Sequence, residues 1–431
     1  MLERCYVAAV AGAQPGPAVA ATLASCPLPA APGGVHVFAI GKAAHGMARA
    51  AVDALAARGV APAGGLVVAH HDAPPPAADL RVATGDHPIP GPRSAHAADL
   101  LGATSGRVGQ RDLAVVLLSG GASSLVGAPV VAGGLTPDDV AATSRALLAA
   151  GVPIDLVNAV RKRVSRWGAG RLARAVAPTR VLCLAVSDVP SDDPAVIGSG
   201  PCAPDPWTAG ALREALSTRD VWATLPHAVR GFLDLLVATS DPRAETPKPG
   251  DPIFAGVRTL VVRTNAAARA AAADAARAAG LDVVEHEGWL AGEAAPLGRS
   301  LAATMLTSPP GTAHVWGGEP TVTLGDAPHP RGGRMQELAL AAAVVLDEAG
   351  SRAGGIALLA AGTDGRDGPT DAAGAVVDDS TWRAVYAAGR DAAADLAAHR
   401  SYDALGAAGV LLPAAPSGTN VADVVISLRV P

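Results

Sequence analysis

The apolar residues of this chain come in short runs of about 5 to 8 residues, the length of strands buried on both faces of a sheet. Each run stops at a turn of small residues, and a helical period follows. That alternation is the signature of strand–helix units and a largely parallel sheet. "VHVFAI" (35–40) stops at Gly41-Lys42 and opens a helix closed by Gly59. "GGLVVAHH" (64–71), "DLAVVLL" (112–118) and "TRVLCLAVSD" (179–188) read as further strands, with helices at 137–151 and 209–218. The proline-rich, charged stretch near 240–251 reads as a linker. Beyond it the alternation resumes: "RTLVVRTN", a helix over 266–280, "LDVVEH", "TAHVWGGE", "TVTLG", a helix after Gly333-Arg334, "GGIALLAAGTDG" and "NVADVVISLRV". The Gly/Pro-rich stretch 325–334 reads as a loop. Two α/β domains are expected, 1–240 and 252–431.

Composition removes several classes of function. Half of the 431 residues are hydrophobic, but aromatics are only 3% and alanine supplies much of the rest. No uninterrupted apolar run reaches the roughly 20 residues of a spanning helix, so no membrane is expected. The N-terminus reads as an alanine-rich helix, a turn and a second helix rather than a signal peptide, since Glu3 and the prolines interrupt that pattern. The net charge is −5, without the basic, aromatic-interleaved patch of a nucleic-acid binder. The one basic cluster, Arg161-Lys162-Arg163, reads as a solvated helix face. Four cysteines without C-x-x-C spacing suit a reducing cytoplasm better than a disulfide framework or a zinc site. Lysine is scarce, with only Lys42, Lys162 and Lys248.

Ligands of such sheets sit where strand-to-helix loops gather. Here the strand ends carry Gly41-Lys42, the run Ser119-Gly120-Gly121-Ala122-Ser123-Ser124, Ser187-Asp188 and then Asp192-Asp193. In the second half they carry Asn265, Gly317-Gly318-Glu319 and Thr363-Asp364-Gly365-Arg366-Asp367-Gly368. Glycines whose amides hold phosphate oxygens, a lysine point charge and magnesium-holding carboxylates suit a nucleotide site. Each piece has a plainer reading: Lys42 as a surface residue, Asp188 as a helix cap, Asp364 and Asp367 as turn formers. The serines alone also fit a hydrolase, but G-x-S-x-G is absent, and nothing ties His45, His70, His71 or His87 to Ser123 or Ser124. "GAGRLA" (168–173) and "GSGPCA" (198–203) mimic a dinucleotide fingerprint, but a cationic helical segment precedes the first and prolines follow the second.

Taken together, "AIGKAAHGMARA", "DHPIPGPRS", "LLSGGASSLV", "VNAVRKRVSRWGAGRLA", "VSDVPSDDPAVIGSGPCAPDP", "LAGEA", "GGEPTV", "RGGRMQELALA", "AAGTDGRDGPTDAAGAVVD" and "SGTNVADV" resemble, in order and over nearly the whole chain, the glycerate 2-kinases, whose C-terminal part is called MOFRL. The resemblance implies two α/β/α domains with an active-site cleft between them. It also implies transfer of the γ-phosphoryl group of ATP to the 2-hydroxyl of D-glycerate or a related small hydroxy acid, in a cytoplasmic enzyme. Some relatives carry the label hydroxypyruvate reductase; an NAD(P)H-dependent reductase and a non-catalytic small-molecule binder are the alternatives. Lys42 and Arg334 match the lysine and arginine thought central to catalysis. Asp364 joins them as the candidate acceptor of the hydroxyl proton. Gly41, Ser119, Gly120, Gly121, Ser123, Ser124, Asn265, Gly318 and Glu319 are the expected nucleotide-binding residues. Arg161 and Asn420 are expected to bind the acceptor, and Asp188 and Asp192 to hold Mg²⁺. The expected partners are ATP and a hydroxy acid, and a homodimer is compatible. The chain departs from the family pattern at Gly91 (usually Asp), Ala122 (usually Gly), Gly168 (usually Lys) and Met335 (usually Asn).

Overall fold

The computed structural model describes residues 1–30, 32–150, 152–239, 241, 244–325, 327 and 329–430. Its first sheet is built from β1 (Val35–Ile40), β2 (Gly64–Ala69), β3 (Leu80–Thr84), β4 (Leu113–Leu118), β5 (Arg180–Val186) and β6 (Val257–Arg263), in the order β3-β2-β1-β4-β5-β6. The ladders among β1 to β5 are parallel. β1 and β4 are buried along their whole length, as their unbroken apolar runs require. From β1 the chain builds outward through β2 and β3, then crosses over to β4 and β5. The β1/β4 boundary is therefore a topological switch point, the place where such sheets open a crevice for a ligand.

The second sheet contains β7 (Asp282–Leu290), β8 (Thr312–Gly318), β9 (Ile356–Gly362), β10 (Ala372–Asp378), β11 (Leu411–Pro413) and β12 (Asp423–Arg429), in the order β11-β10-β9-β12-β8-β7. β7, β8, β9 and β11 share a direction while β10 and β12 run against it, so that β7/β8 is the parallel ladder and the other four are antiparallel. β12 lies in the sheet centre, between β9 and β8. β3, β10 and β11 are strands that periodicity did not reveal. "TVTLG" forms no strand, only a bridge from Thr321 to Glu293.

The chain divides into two compact units, Pro15–Val262 and Met1–Gln14 with Arg263–Pro431. This differs from the expected boundary at 240–251, because β6 joins the first sheet. The described part of the supposed linker is built into the first unit: Glu245 pairs with Arg163, and Arg163 donates to Thr246 Oγ1 (3.0 Å) and to the Trp207 carbonyl (2.7 Å). Ser240, Pro242 and Arg243 lie outside the described residues, as do Asp326 and Pro328 of the 325–334 loop. Arg163 is fully buried and Lys162 nearly so, which overturns the solvated-face reading of that cluster. The carboxylates that made 240–251 look like a surface linker include the counter-ion of a buried arginine.

The first residues belong to the second unit because the helix Leu2–Gly12 packs on the helix Asn265–Ala278. Tyr6 donates to the Gly362 carbonyl (2.7 Å) and Thr419 to the Ala13 carbonyl (2.8 Å). The segment Leu2–Ser25 does reach the length and mean hydropathy (1.3) of a spanning helix, contrary to expectation. Alanine supplies that hydropathy, and the folded segment is two helices, Leu2–Gly12 and Gly16–Ser25.

Candidate functional site

In the first unit the register aligns Ile40 with Leu118 and Leu118 with Ala185, so the loops after β1, β4 and β5 leave the sheet at one level. Gly41 has φ +135°, and a Cβ there would stand 2.1 Å from Ser119 Oγ. Only glycine lets the two loops approach this closely. The Lys42 amide donates to the Gly120 carbonyl (2.9 Å) and the Ser119 amide to the Ile40 carbonyl (3.1 Å). Ser119 Oγ is buried and accepts the Ala43 amide (3.0 Å). Ser124 donates to the Pro88 carbonyl (2.8 Å). These two hydroxyls hold the loops together. What the loop offers is backbone: among the described residues the amides of Gly120, Gly121 and Ser123 have no acceptor. Gly121 is left-handed at φ +83°, and a Cβ on it would stand 2.9 Å from His87 Cδ2 and 3.6 Å from Lys42 Cγ. Lys42, Gly121 and His87 thus converge, and His87 is a neighbour that sequence spacing gave no reason to choose.

Asp188 follows β5 and is half-buried, whereas Asp192 sits on an exposed turn at φ +51°. Among the described residues no group of three or more His, Cys, Asp or Glu side chains is placed to hold a metal ion.

The departures from the family pattern have local explanations. The Ala122 methyl is buried in the apolar core, and a Cβ on Gly198 would come within 3.0 Å of it, so that flank of the loop is filled. We expect Ala122→Gly to leave the KM for ATP within about threefold of wild type and to cost about 1 kcal/mol of stability, read by initial rates and chemical unfolding. A large fall in that KM would mean the methyl obstructs the nucleotide. Gly91 begins the helix Pro92–Ser105 without a capping side chain. Asp86 caps it instead, accepting the Arg93 amide (2.9 Å) and the Arg93 side chain (2.7 Å), and a Cβ on Gly91 would stand 2.7 Å from that carboxylate. A Cβ on Gly168 would stand 3.1 Å from the Ser199 carbonyl oxygen. Met335 is fully buried in the second unit's core.

In the second unit Arg334 begins the helix Arg334–Ala349. Its Nε donates to Asp423 Oδ2 (2.5 Å) and its Nη2 to Asp423 Oδ1 (3.1 Å), and Glu319 lies 3.2 Å from Nη2. Among the described residues Nη1 has no partner, so one edge of the guanidinium is held and another is presented. Asp367 accepts the amides of Met335 (3.1 Å) and Gln336 (2.8 Å), satisfying the start of that helix. Burial and the neighbouring Asp423 push the Asp367 carboxyl up to about 7. Burial, opposed by Arg334, leaves the Asp423 carboxyl raised to about 6. Burial and the negative charges of Asp364 and Asp423 raise the Tyr6 phenol.

Asp364 is half-buried and its Oδ1 accepts the Arg366 amide (3.1 Å). Asn420 Oδ1 accepts the Ala422 amide (3.3 Å). Asn265 is buried, with Nδ2 donating to the carbonyls of Val421 (2.8 Å) and Asp423 (2.9 Å). Its amide braces the start of β12. Glu319 is placed on Arg334, and Gly318 ends β8 against the Leu290 backbone. Sequence reasoning missed Asp423, Asp367 as a partner of the Arg334 helix, and Tyr6. The available signal for Asp423 was an acid at the head of the apolar run "VVISL".

Residues 1–234 match the family model described as a domain of unknown function, DUF4147, and residues 312–423 match the MOFRL family. A D-glycerate 2-kinase of Thermotoga maritima is 33% identical over 92% of this chain and 91% of its own. The chain belongs to the glycerate 2-kinase family. A crystal structure of the glycerate kinase of Thermotoga maritima superposes with a TM-score of 0.83 at 32% identity, covering 100% of this chain and 99% of that one. An Agrobacterium vitis protein provisionally named hydroxypyruvate reductase is 39% identical, over 98% of this chain and 93% of its own. Lys42 with its loop partners and Arg334 with Glu319, Asp364, Asp367 and Asp423 lie in the two matched segments, and Asn265 lies between them.

Proposed function

We propose that this member of the glycerate 2-kinase family transfers the γ-phosphoryl group of ATP to the 2-hydroxyl of D-glycerate, giving 2-phosphoglycerate. The observation that carries the reading is the pair of loops at the β1/β4 switch point, where Lys42 borders a turn in which the Gly120, Gly121 and Ser123 amides face no acceptor among the described residues. Such amides bind phosphate oxygens, and phosphoryl transfer asks mainly for positioning and charge neutralisation. Lys42 neutralises the transferring phosphoryl group. Arg334, aimed by Asp423, meets charge that develops on its oxygens. Asp364 accepts the hydroxyl proton.

Magnesium taken up with a nucleotide usually has only one or two protein carboxylates, its other ligands being phosphates and water. Asp188, at the end of β5 beside the loop, fits that need, and Asp192 on its exposed turn is the second candidate. Bound there, the ion would neutralise phosphate charge.

The reductase reading lacks its site. Gly41-Lys42-Ala43-Ala44-His45-Gly46 after β1 is no dinucleotide fingerprint, and the 168–173 match follows the helix Ile154–Val164 instead of a strand before it runs into the helix Arg171–Val176. The four cysteines are free, which suits the cytoplasm. The deciding experiment incubates the purified chain with ATP, Mg²⁺ and D-glycerate, with erythronate and threonate in parallel, and identifies the product by phosphorus NMR. A 2-phosphorylated acid is expected. NADH oxidation with hydroxypyruvate and no phosphorylated product would overturn the reading.

A further inference from the structure

We propose that a cavity among the helices of the second unit binds a small organic ammonium with an aromatic or apolar body, Glu337 being its counter-ion. The cavity holds about 440 Å³, within the usual range for small-molecule sites. No residue assigned above to phosphoryl transfer lines it, and the proposal does not rest on the kinase reading. The helix Arg334–Ala349 forms one wall. Glu337, Val344, Val345 and Glu348 recur along it at the spacing of one helix face, so the cavity follows that helix for roughly 16 Å. Trp382 of the helix Thr381–Ala387 and Leu396 of the helix Ala392–Ala397 join the two valines, which makes the body of the cavity apolar. A tryptophan wall suits both a flat ring and a cation.

Glu337 is the buried acid of this lining, 4% exposed. His399 Nδ1 donates to its Oε2 (2.9 Å), while among the described residues Glu337 Oε1 and His399 Nε2 have no partner. His399 stands at φ +52° just after the helix Ala392–Ala397, where glycine would sit at lowest cost. Its own amide donates to the Leu396 carbonyl (3.2 Å), and its carbonyl accepts the Arg331 amide (2.8 Å). The backbone thereby fixes the ring against Glu337.

One histidine does not balance this acid. Burial pushes the Glu337 carboxyl up, Glu293 adds to the rise, and His399 offsets only part of it. A buried carboxylate left short of positive charge calls for a further cation. Arg299 and Glu348 also line the cavity; both are exposed and have no partner among the described residues. They carry opposite charges, and solvated charges contribute little. The buried acid therefore sets the preference of the site, a cation over an anion, and the apolar walls set the body that carries it.

The test titrates the full chain calorimetrically with tryptamine and, in parallel, with indole-3-propionate, which carries an acid in place of the amine. One tryptamine per chain is expected, with the acid at least about tenfold weaker. Glu337→Gln should weaken tryptamine at least about tenfold and erase the preference over the acid. Ala397 is exposed on the cavity wall, so Ala397→Trp fills the space without entering the core. It should abolish tryptamine binding and leave the melting temperature unchanged. Should Glu337→Gln fail to fold, Ala397→Trp and the comparison of amine with acid on wild type still decide. Equal binding of amine and acid would overturn the proposal, as would tryptamine binding that survives Ala397→Trp, or a wild type that binds no tryptamine. Tighter binding of tryptophan than of tryptamine would also overturn the ammonium class, by assigning Arg299 a carboxylate. Each readout is direct binding, so loss of the kinase reading would leave the result standing.

Discussion

Lys42→Met should lower kcat for glycerate phosphorylation by about a thousandfold, the scale of losing one preorganised charge on a transferring phosphoryl group. The chain should still fold. Lys42 stands just before the helix Ala44–Ala56, where the helix dipole disfavours a cation. Removing the charge there costs no helix stability, and methionine keeps the aliphatic stem that runs past Gly121. The loop is fastened by groups the substitution leaves in place, the Lys42 amide on Gly120 and the Ala43 amide on Ser119 Oγ. A melting curve superposable on wild type, together with the kcat loss, is the expected result. Lys42→Arg should recover little, because a planar fork does not replace a compact ammonium in a turn this tight. Turnover within threefold of wild type in Lys42→Met would remove Lys42 from the chemistry.

The first sheet was legible because β1, β4 and β5 are buried on both faces and so read as unbroken apolar runs. β10 was harder: "AAGAVVD" contains no long aliphatic residue but valine and follows a glycine-rich turn. The boundary between the units was misread for a physical reason. Proline, lysine and glutamate near 240–251 look like solvent-facing residues, but Glu245 is the counter-ion of Arg163, 82 residues away in sequence and invisible until the chain folds. The same long-range pairing hid the burial of the Arg161–Arg163 cluster. Within the candidate site, Lys42 was legible because lysine is rare here and this one opens a helix at a strand end. The bracing contacts of Ser119, Ser124 and Asn265 were not, because a hydroxyl or amide that braces a loop looks in sequence like one that does not. Only the partner distinguishes them, and here the partners are backbone groups.

Asp423 illustrates the same point with the largest consequence after Lys42. Two of its oxygens hold Arg334 from a position at the head of the central strand β12, braced by Asn265. Asp423→Asn keeps the shape but loses the charge and one of the two acceptors. Arg334 would then be free to swing toward Glu319, and kcat is expected to fall by about a hundredfold, with KM for ATP changed far less. Breaking a fully buried ion pair costs about 3 to 5 kcal/mol. Because the Arg334 side chain is 36% exposed, the expected loss here is smaller, about 1 to 3 kcal/mol at pH 8. The pH dependence separates this from a generic loss of stability. The carboxyls of Asp423 and Asp367 are raised to about 6 and about 7. In the unfolded chain they titrate near the ordinary value, about 3.9. Raised groups bind protons more tightly when folded, so the stability they contribute is complete below the ordinary value and is lost as pH climbs through 6 to 7. Wild type should therefore melt higher at pH 5 than at pH 8, as far as these two groups decide it. Asp423→Asn removes one of the two titrations and so gains less stability than wild type on acidification, and the gap between variant and wild type should widen at pH 5, where the wild-type carboxyl is largely protonated when folded and ionised when unfolded. A gap of the same size at both pH values would mean that Asp423 acts through packing alone, and that the orientation of Arg334 does not depend on its charge.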